Sequence, residues 1–310
     1  MVYDVLIIGG GPAAITAGIY SKRAGKSVLI VERMVPGGQV ALTNTVENWP
    51  GIKKTDGMTL ATAMFDHVSS LGVEFVFSDV LEFDLESKVK KIRTHEGTFE
   101  GKTIILCLGA SAKQLNLKNE RKFLGRGVSY CATCDGNFFK EKTVAIVGGG
   151  NTSLEDSLYL SNLAKKVYVI VRRDSFCGDQ ILIEQVKKAN DDPNNPIEIL
   201  FNSQVVEIDG SDKLEKITVE NCLNKSKNEI ELDGLFVAIG RKPDTEILQG
   251  VELDKNGYII TNEKMETNIP GVYAAGDVRQ KQLRQIVTAC SDGAIASINT
   301  NEYILKNFGS

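Results

Sequence analysis

Two stretches of the chain carry the same pattern of apolar and polar positions. Val5-Leu6-Ile7-Ile8 and Val144-Ala145-Ile146-Val147 are unbroken apolar runs, the pattern of a strand buried on both faces of a parallel sheet. Each run meets three glycines, Gly9-Gly10-Gly11 and Gly148-Gly149-Gly150. After the first, Ala13 to Ala24 reads as a helix and Ser27 to Val31 as a second strand ending in Glu32. After the second, Leu154 to Leu163 reads as a helix and Lys166 to Val171 as the next strand. Strand, glycine turn, helix and strand in that order predict a Rossmann-like nucleotide fold, here present twice. No other repeat or low-complexity segment stands out, and the polar run from Asn190 to Pro196 reads as a surface loop.

The first turn, Gly9-Gly10-Gly11-Pro12-Ala13-Ala14, fits G-x-G-x-x-A. Gly9 suits the tight turn, Gly11 lets the backbone approach a pyrophosphate, and the helix N-terminus stabilises its charge. Glu32 falls where the fingerprint places an acid that accepts hydrogen bonds from ribose hydroxyls. In the second turn, Gly148, Gly150, Asn151 and Thr152 repeat the arrangement, with Ser153 as the small third residue. Its second strand leads into Arg172-Arg173 rather than an acid, which favours a nucleotide with a 2′-phosphate, NADP over NAD.

Composition narrows the class. The chain has 310 residues, 42% hydrophobic and 25% charged, with net charge −4. That is room for two domains, with no charge pointing to nucleic acid or a membrane surface. No apolar run is long enough to span a bilayer, and the first residues lack the basic and apolar regions of a signal peptide. Of six cysteines only Cys131 and Cys134 are close, in Cys-Ala-Thr-Cys-Asp-Gly. This usage fits a reducing cytoplasm with one working redox pair. A zinc site would need a second ligand pair, which the other cysteines and the two histidines, His67 and His95, do not supply. A purely structural thiol pair is the other reading. Asp135 argues against it, because an acid beside a dithiol can protonate a leaving thiolate.

Several further segments complete a pattern. They are Pro36-Gly37-Gly38-Gln39, Glu47-Asn48-Trp49-Pro50-Gly51, Gly125-Arg126-Gly127-Val128-Ser129, Ala274-Ala275-Gly276-Asp277 and Arg284-Gln285. Together with the dithiol ahead of the second glycine turn, they make the chain resemble the low-molecular-weight thioredoxin reductases over nearly its whole length. The resemblance implies an α/β fold of two Rossmann-like, three-layer domains, the NADPH domain inserted in the FAD domain. Residues 1–113 and 243–310 would bind FAD, and residues 114–242 would bind NADPH and carry the redox-active dithiol. Gly38, Gln39 and Asn48 would lie near the flavin, Asp277 on its ribityl chain, and Arg284 and Gln285 where the final helix begins. Hydride would pass from NADPH to FAD, then electrons to the Cys131–Cys134 disulfide, with Cys134 facing the flavin. Cys131 would attack the disulfide of thioredoxin, with Asp135 as proton donor. Two domain orientations would alternate about crossings near Ala112-Lys113 and Arg241-Lys242. Family members also suggest a cytoplasmic homodimer. Arg126, Phe138 and Phe139 lie beside the dithiol and are candidate docking residues, although an aromatic pair is more often core.

The sequence departs from the family at the phosphate clamp, which usually runs His-Arg-Arg, three residues, Arg. Here Val171 replaces the His and Cys177 the last Arg. That keeps two rivals open: a same-fold reductase with another donor, such as ferredoxin or NADH, and a flavin redox sensor without steady turnover.

Overall fold

The computed structural model describes residues 1–34, 36–43 and 45–309. The chain divides into two compact units: Met1–Ser111 with Lys242–Ser310, and Ala112–Arg241.

The first unit opens with strand β1 (Val2–Ile8), helix α1 (Pro12–Arg23) and strand β2 (Val28–Glu32). Helix α2 (Gly57–Ser70) and strands β3 (Glu74–Phe77), β4 (Val80–Asp84), β5 (Lys90–Thr94), β6 (Gly97–Leu106) and β7 (Ala110–Ala112) follow. The sheet runs β3-β2-β1-β6-β5-β4. It is parallel from β3 to β6, and the β4–β5–β6 edge is antiparallel. The unbroken apolar run of β1 has a plain cause. Its side chains alternate between faces, so Val5 and Ile7 enter one core and Leu6 and Ile8 another on the opposite face.

The second unit contains β8 (Val128–Ser129), the single turn α3 (Ala132–Asp135), β9 (Thr143–Val147), α4 (Asn151–Ser161) and β10 (Lys166–Ile170). It continues with α5 (Gln180–Asp191), β11 (Ile197–Leu200), β12 (Ser203–Asp209), β13 (Lys216–Asn221), β14 (Lys227–Glu231), β15 (Gly234–Val237) and β16 (Arg241–Pro243). Its parallel sheet runs β11-β10-β9-β15-β8. Val144 and Ile146 face a core shared with α4 and α5, and Ala145 and Val147 face the other side. That side is covered by the antiparallel meander β12-β13-β14, through Val205, Ile208, Ile217 and Val219. The layer opposite the helices is therefore a sheet. Asn190 and Asp191, read from sequence as loop, form the last turn of α5, where the Asn190 side chain accepts from the Ile199 amide at 2.9 Å.

The chain crosses between the units within β7 and β16. Beside the crossings the Lys113 amide donates to the Gly240 carbonyl at 3.0 Å. Back in the first unit, β17 (Val272–Ala274) joins β6 in parallel, and the 23-residue helix α6 (Ile286–Phe308) follows. Helix α6 packs on α1 so closely that a Cβ on Gly293 would sit 2.1 Å from the Ala13 carbonyl oxygen. Small residues on α1, Ala13 and Ala17, make that approach possible. Among the described residues no helix is long and apolar enough to cross a membrane.

Candidate functional site

In the first unit, Gly9 has φ +109°, and a Cβ there would lie 2.3 Å from the Cys107 carbonyl oxygen, just past β6. Only glycine fits. Gly11 caps α1 and nothing lies within 4 Å of where its Cβ would be, while a Cβ on Gly38 would come 3.3 Å from the Gly11 Cα. The result is an open backbone cradle at a helix N-terminus, with a second glycine backbone facing it. Pro12 and Ala13 are buried in the first turn of α1. Glu32 is buried at the end of β2, and its Oε1 accepts from the Met34 amide at 2.8 Å. These features fit the pyrophosphate and ribose of a dinucleotide.

The same unit gathers other predicted residues. Gln39 lies exposed on the 3₁₀ turn Gly38–Leu42. Asn48 donates to the Gln285 side-chain oxygen at 3.0 Å. Gln285 is the N-cap of α6, where its backbone N–H donates to Thr288 Oγ1 at 3.1 Å as half of a capping box. Asp277 sits on the 3₁₀ turn Gly276–Val278, and Gly276 is packed against Ala13, so the turn adjoins the start of α1. Arg284 stacks over the Tyr258 ring at 4.0 Å and donates to the carbonyls of Asp277 and Arg279, each at 3.3 Å. It braces the Asp277 turn.

Sequence reasoning missed the group behind that turn. Asp292 of α6 is buried, accepts from the Gly276 amide at 3.0 Å, and pairs with Arg279 at 3.0 Å and Lys281 at 2.9 Å. A buried carboxylate holding a backbone amide and two cations fixes the Asp277 turn to α6. The available signal was a charged residue two turns into α6, among the small residues Ala289, Gly293 and Ala296.

In the second unit the glycine turn repeats the first. Gly148 has φ +151°, and a Cβ would lie 2.3 Å from the Ala238 carbonyl oxygen, just past β15. Nothing lies within 4 Å of where a Gly150 Cβ would be. Helix α4 begins at Asn151, three residues earlier than the apolar pattern suggests, because Gly150 is its N-cap. Asn151 is bound on both sides by Asp179: its Nδ2 donates to Oδ2 at 2.8 Å, and its Oδ1 accepts from the Asp179 amide at 2.7 Å. Thr152 is exposed in the first turn. Arg172 and Arg173 are exposed beyond β10. Register sharpens their place. The residue beside Gly10 is Glu32 and the residue beside Gly149 is Val171, buried and 3.0 Å from where a Gly149 Cβ would be. The counterpart of the acid is thus Val171, and the arginines stand one and two positions beyond it. Cys177 is exposed; its amide donates to the Gly149 carbonyl at 2.8 Å and its thiol to the same oxygen at 3.4 Å.

Cys131 and Cys134 form a disulfide, with Cα atoms 5.3 Å apart, at the start of α3. Both are half-buried, as is Asp135. Ser129, the last residue of β8, is buried; its Oγ donates to Asp135 Oδ2 at 2.7 Å and accepts from the Cys131 amide at 3.1 Å. Burial pushes the Asp135 carboxyl above its ordinary range, and the Ser129 hydroxyl opposes that rise. Arg126 and Phe138 are exposed near the dithiol, whereas Phe139 is core, edge-on to Phe236 at 5.2 Å. Its packing removes Phe139 from the surface candidates. Of the other cysteines, Cys107 is buried, and burial raises its thiol far above the usual range, as it also raises that of Cys290. Neither has thiolate character.

Two Rossmann-like units and a vicinal disulfide define a pyridine nucleotide-disulphide oxidoreductase, and the family model of that description matches residues 3–293. Thioredoxin reductase of Bacillus subtilis (strain 168) is 38% identical over 305 residues, 98% of this chain and 95% of its own. The crystal structure of thioredoxin reductase from Streptococcus pyogenes MGAS5005 matches at 38% identity and TM-score 0.90, covering 98% of this chain and 99% of that one. A ferredoxin-flavin thioredoxin reductase from Clostridium acetobutylicum matches at 31% identity and TM-score 0.53, covering 98% and 99%. The chain belongs to the thioredoxin reductases within that family.

Proposed function

We propose that the protein reduces the disulfide of a thioredoxin with electrons from NADPH, passed through FAD to Cys131 and Cys134. The observation that carries this reading is the Cys131–Cys134 disulfide beside half-buried Asp135, in the same unit as the second nucleotide fold. FAD, when bound, supplies a carrier that accepts a hydride and passes on its electron pair. Gly9, Gly11 and Gly38 would hold its pyrophosphate, Glu32 its ribose, Asp277 its ribityl chain, and Gln39, Asn48 and Gln285 its ring. Gly148, Gly150, Asn151 and Thr152 would cradle the nicotinamide nucleotide, with Arg172 and Arg173 on the 2′-phosphate. Two electrons break the Cys131–Cys134 bond; one sulfur leaves as thiolate and takes a proton from Asp135. Cys131 then attacks one sulfur of the thioredoxin disulfide, the other leaves, and Cys134 resolves the mixed disulfide. The products are dithiol thioredoxin and the restored Cys131–Cys134 bond.

The test is stopped-flow mixing of the FAD-loaded enzyme with NADPH or NADH, then with oxidised thioredoxin. NADPH should bleach the flavin and thioredoxin should restore its colour. Cys131→Ser should keep the bleaching and lose thioredoxin turnover. A second reading, reduced ferredoxin as donor, is favoured by Val171 and Cys177 at the clamp and by the Clostridium acetobutylicum relative. It takes over if neither nucleotide bleaches the flavin.

A further inference from the structure

Ser129 is a small buried residue on a two-residue strand, and its hydroxyl joins two parts of the dithiol loop. The oxygen receives the amide of Cys131 at 3.1 Å and sits 2.7 Å from Asp135 Oδ2. Its single proton has one other acceptor within reach, the Cys131 carbonyl at 3.3 Å, so the closer carboxylate takes it. α3 is only one turn long and has no side-chain cap. The Ser129 hydroxyl ties the acid to the amide of the first cysteine.

We infer that Ser129 is a positioning residue: it aims the Asp135 carboxyl at the dithiol and supports its ionised form between proton transfers. This rests on the reading of Asp135 as proton donor. On the Asp135 carboxyl, burial acts upward and the Ser129 hydroxyl acts downward. On α4, packed against α3, the titratable side chains are Glu155, Asp156 and Tyr159. Toward the strand they are Tyr130 and its hydrogen-bond partner Glu120. Proton transfer to a departing sulfur requires the acid form at the right place, and the next cycle requires that form to be regained. A hydroxyl that can donate to the carboxylate and rotate away from the acid serves both states.

The experiment measures multiple-turnover reduction of oxidised thioredoxin by the holoenzyme, so that the Cys131–Cys134 bond is broken in every cycle, from pH 5 to 9, in wild type, Ser129→Ala, Ser129→Thr and Asp135→Asn. Removing one hydrogen bond to a charged group moves its equilibrium by about one to two pH units. In Ser129→Ala the alkaline fall-off should therefore move up by about that much. The plateau rate should drop about tenfold, less than the roughly 10²–10⁴-fold of losing the acid in Asp135→Asn. Bleaching of the flavin by the nucleotide should not change, and Ser129→Thr, which keeps the hydroxyl, should restore both rate and profile. A merely structural serine would leave the pH profile where it was. Superimposed wild-type and Ser129→Ala profiles overturn the inference while Asp135→Asn remains slow. A wild-type rate in Asp135→Asn overturns the proton-donor reading instead.

Discussion

The two glycine turns share one frame and differ in what lines it. In both, the strand order around the turn is the same, with β3-β2-β1-β6 in one unit and β11-β10-β9-β15 in the other. In both, the first glycine is held at positive φ against a carbonyl past the fourth strand, and the third glycine caps the helix with open space before it. The backbone is a general device for a pyrophosphate. What changes lies one residue away: Glu32 in the first unit becomes Val171 in the second, followed by Arg172 and Arg173, and under the proposed function that exchange selects the nucleotide. Behind the turn, buried Ala17 of α1 has as its counterpart the acid Asp156 of α4. A shared backbone with exchanged side chains lets one architecture bind two nucleotides for two purposes.

The strongest way to break the comparison is at the first glycine of each turn. Alanine at Gly9 or Gly148 meets a carbonyl oxygen at 2.3 Å from a backbone that L residues avoid. Strain of about 1–3 kcal/mol per such residue amounts to roughly 5- to 150-fold in binding. Gly9→Ala should yield protein depleted of FAD, measured by its visible absorbance after desalting. Gly148→Ala should keep FAD and lose rapid bleaching by nucleotide. Loss of FAD from both variants would show that the two turns do not serve separate ligands.

How much of this was legible in the sequence follows from what each feature depends on. The strands, the glycine turns and the dithiol were readable, because alternation and turn chemistry are local. The Rossmann-like order followed from those elements. Strand pairing adds the register: pairing Ile8 with Val31 and Val147 with Ile170 makes Val171 the counterpart of Glu32, with the arginines expected on the 2′-phosphate just beyond it. The Ser129–Asp135 bond depends on a single helical turn folding the chain back over six residues. Asp292 reaching Gly276 depends on how α6 packs, and periodicity carries no sign of that.

The comparison sharpens at the end of the second strand. Each charged hydrogen bond to a phosphate contributes about 1.5–3 kcal/mol. Arg172→Ala should therefore lower kcat/KM for NADPH about 10- to 100-fold and leave NADH almost unchanged. Cys177→Arg should lower KM for NADPH alone. Val171→Glu, which installs the counterpart of Glu32 beside the arginines, should weaken NADPH through charge repulsion and spare NADH. The measurement is kcat/KM for both nucleotides across the three variants. Equal loss with NADH would mean the strand end supports the fold and does not read the 2′-phosphate.

The smallest effect concerns the acid behind the turn. Asp156 is raised to about 7, first by burial, then by Glu155, with Arg241 acting the other way. The sign follows from linkage. The folded state holds the Asp156 proton up to about pH 7, while the unfolded chain releases it near the ordinary aspartate value. Folded protein thus binds more protons between those limits, and stability falls as pH rises through that window. Below it, both states are protonated and Asp156 costs nothing; above it, an ionised carboxylate stays half-buried at a constant cost. Asp156→Asn, which fits the same space without a charge, should leave Tm unchanged at pH 4 and raise it by roughly 2 °C or more at pH 8. Thermal unfolding of the FAD-loaded enzyme across that range reads the difference directly. A uniform gain at all pH values would point to packing, and a loss at pH 8 would mean that Arg241 outweighs burial. Ala17 provides the control: Ala17→Gly in the first unit should lower Tm by a similar amount at both pH values, because that position carries no proton to release.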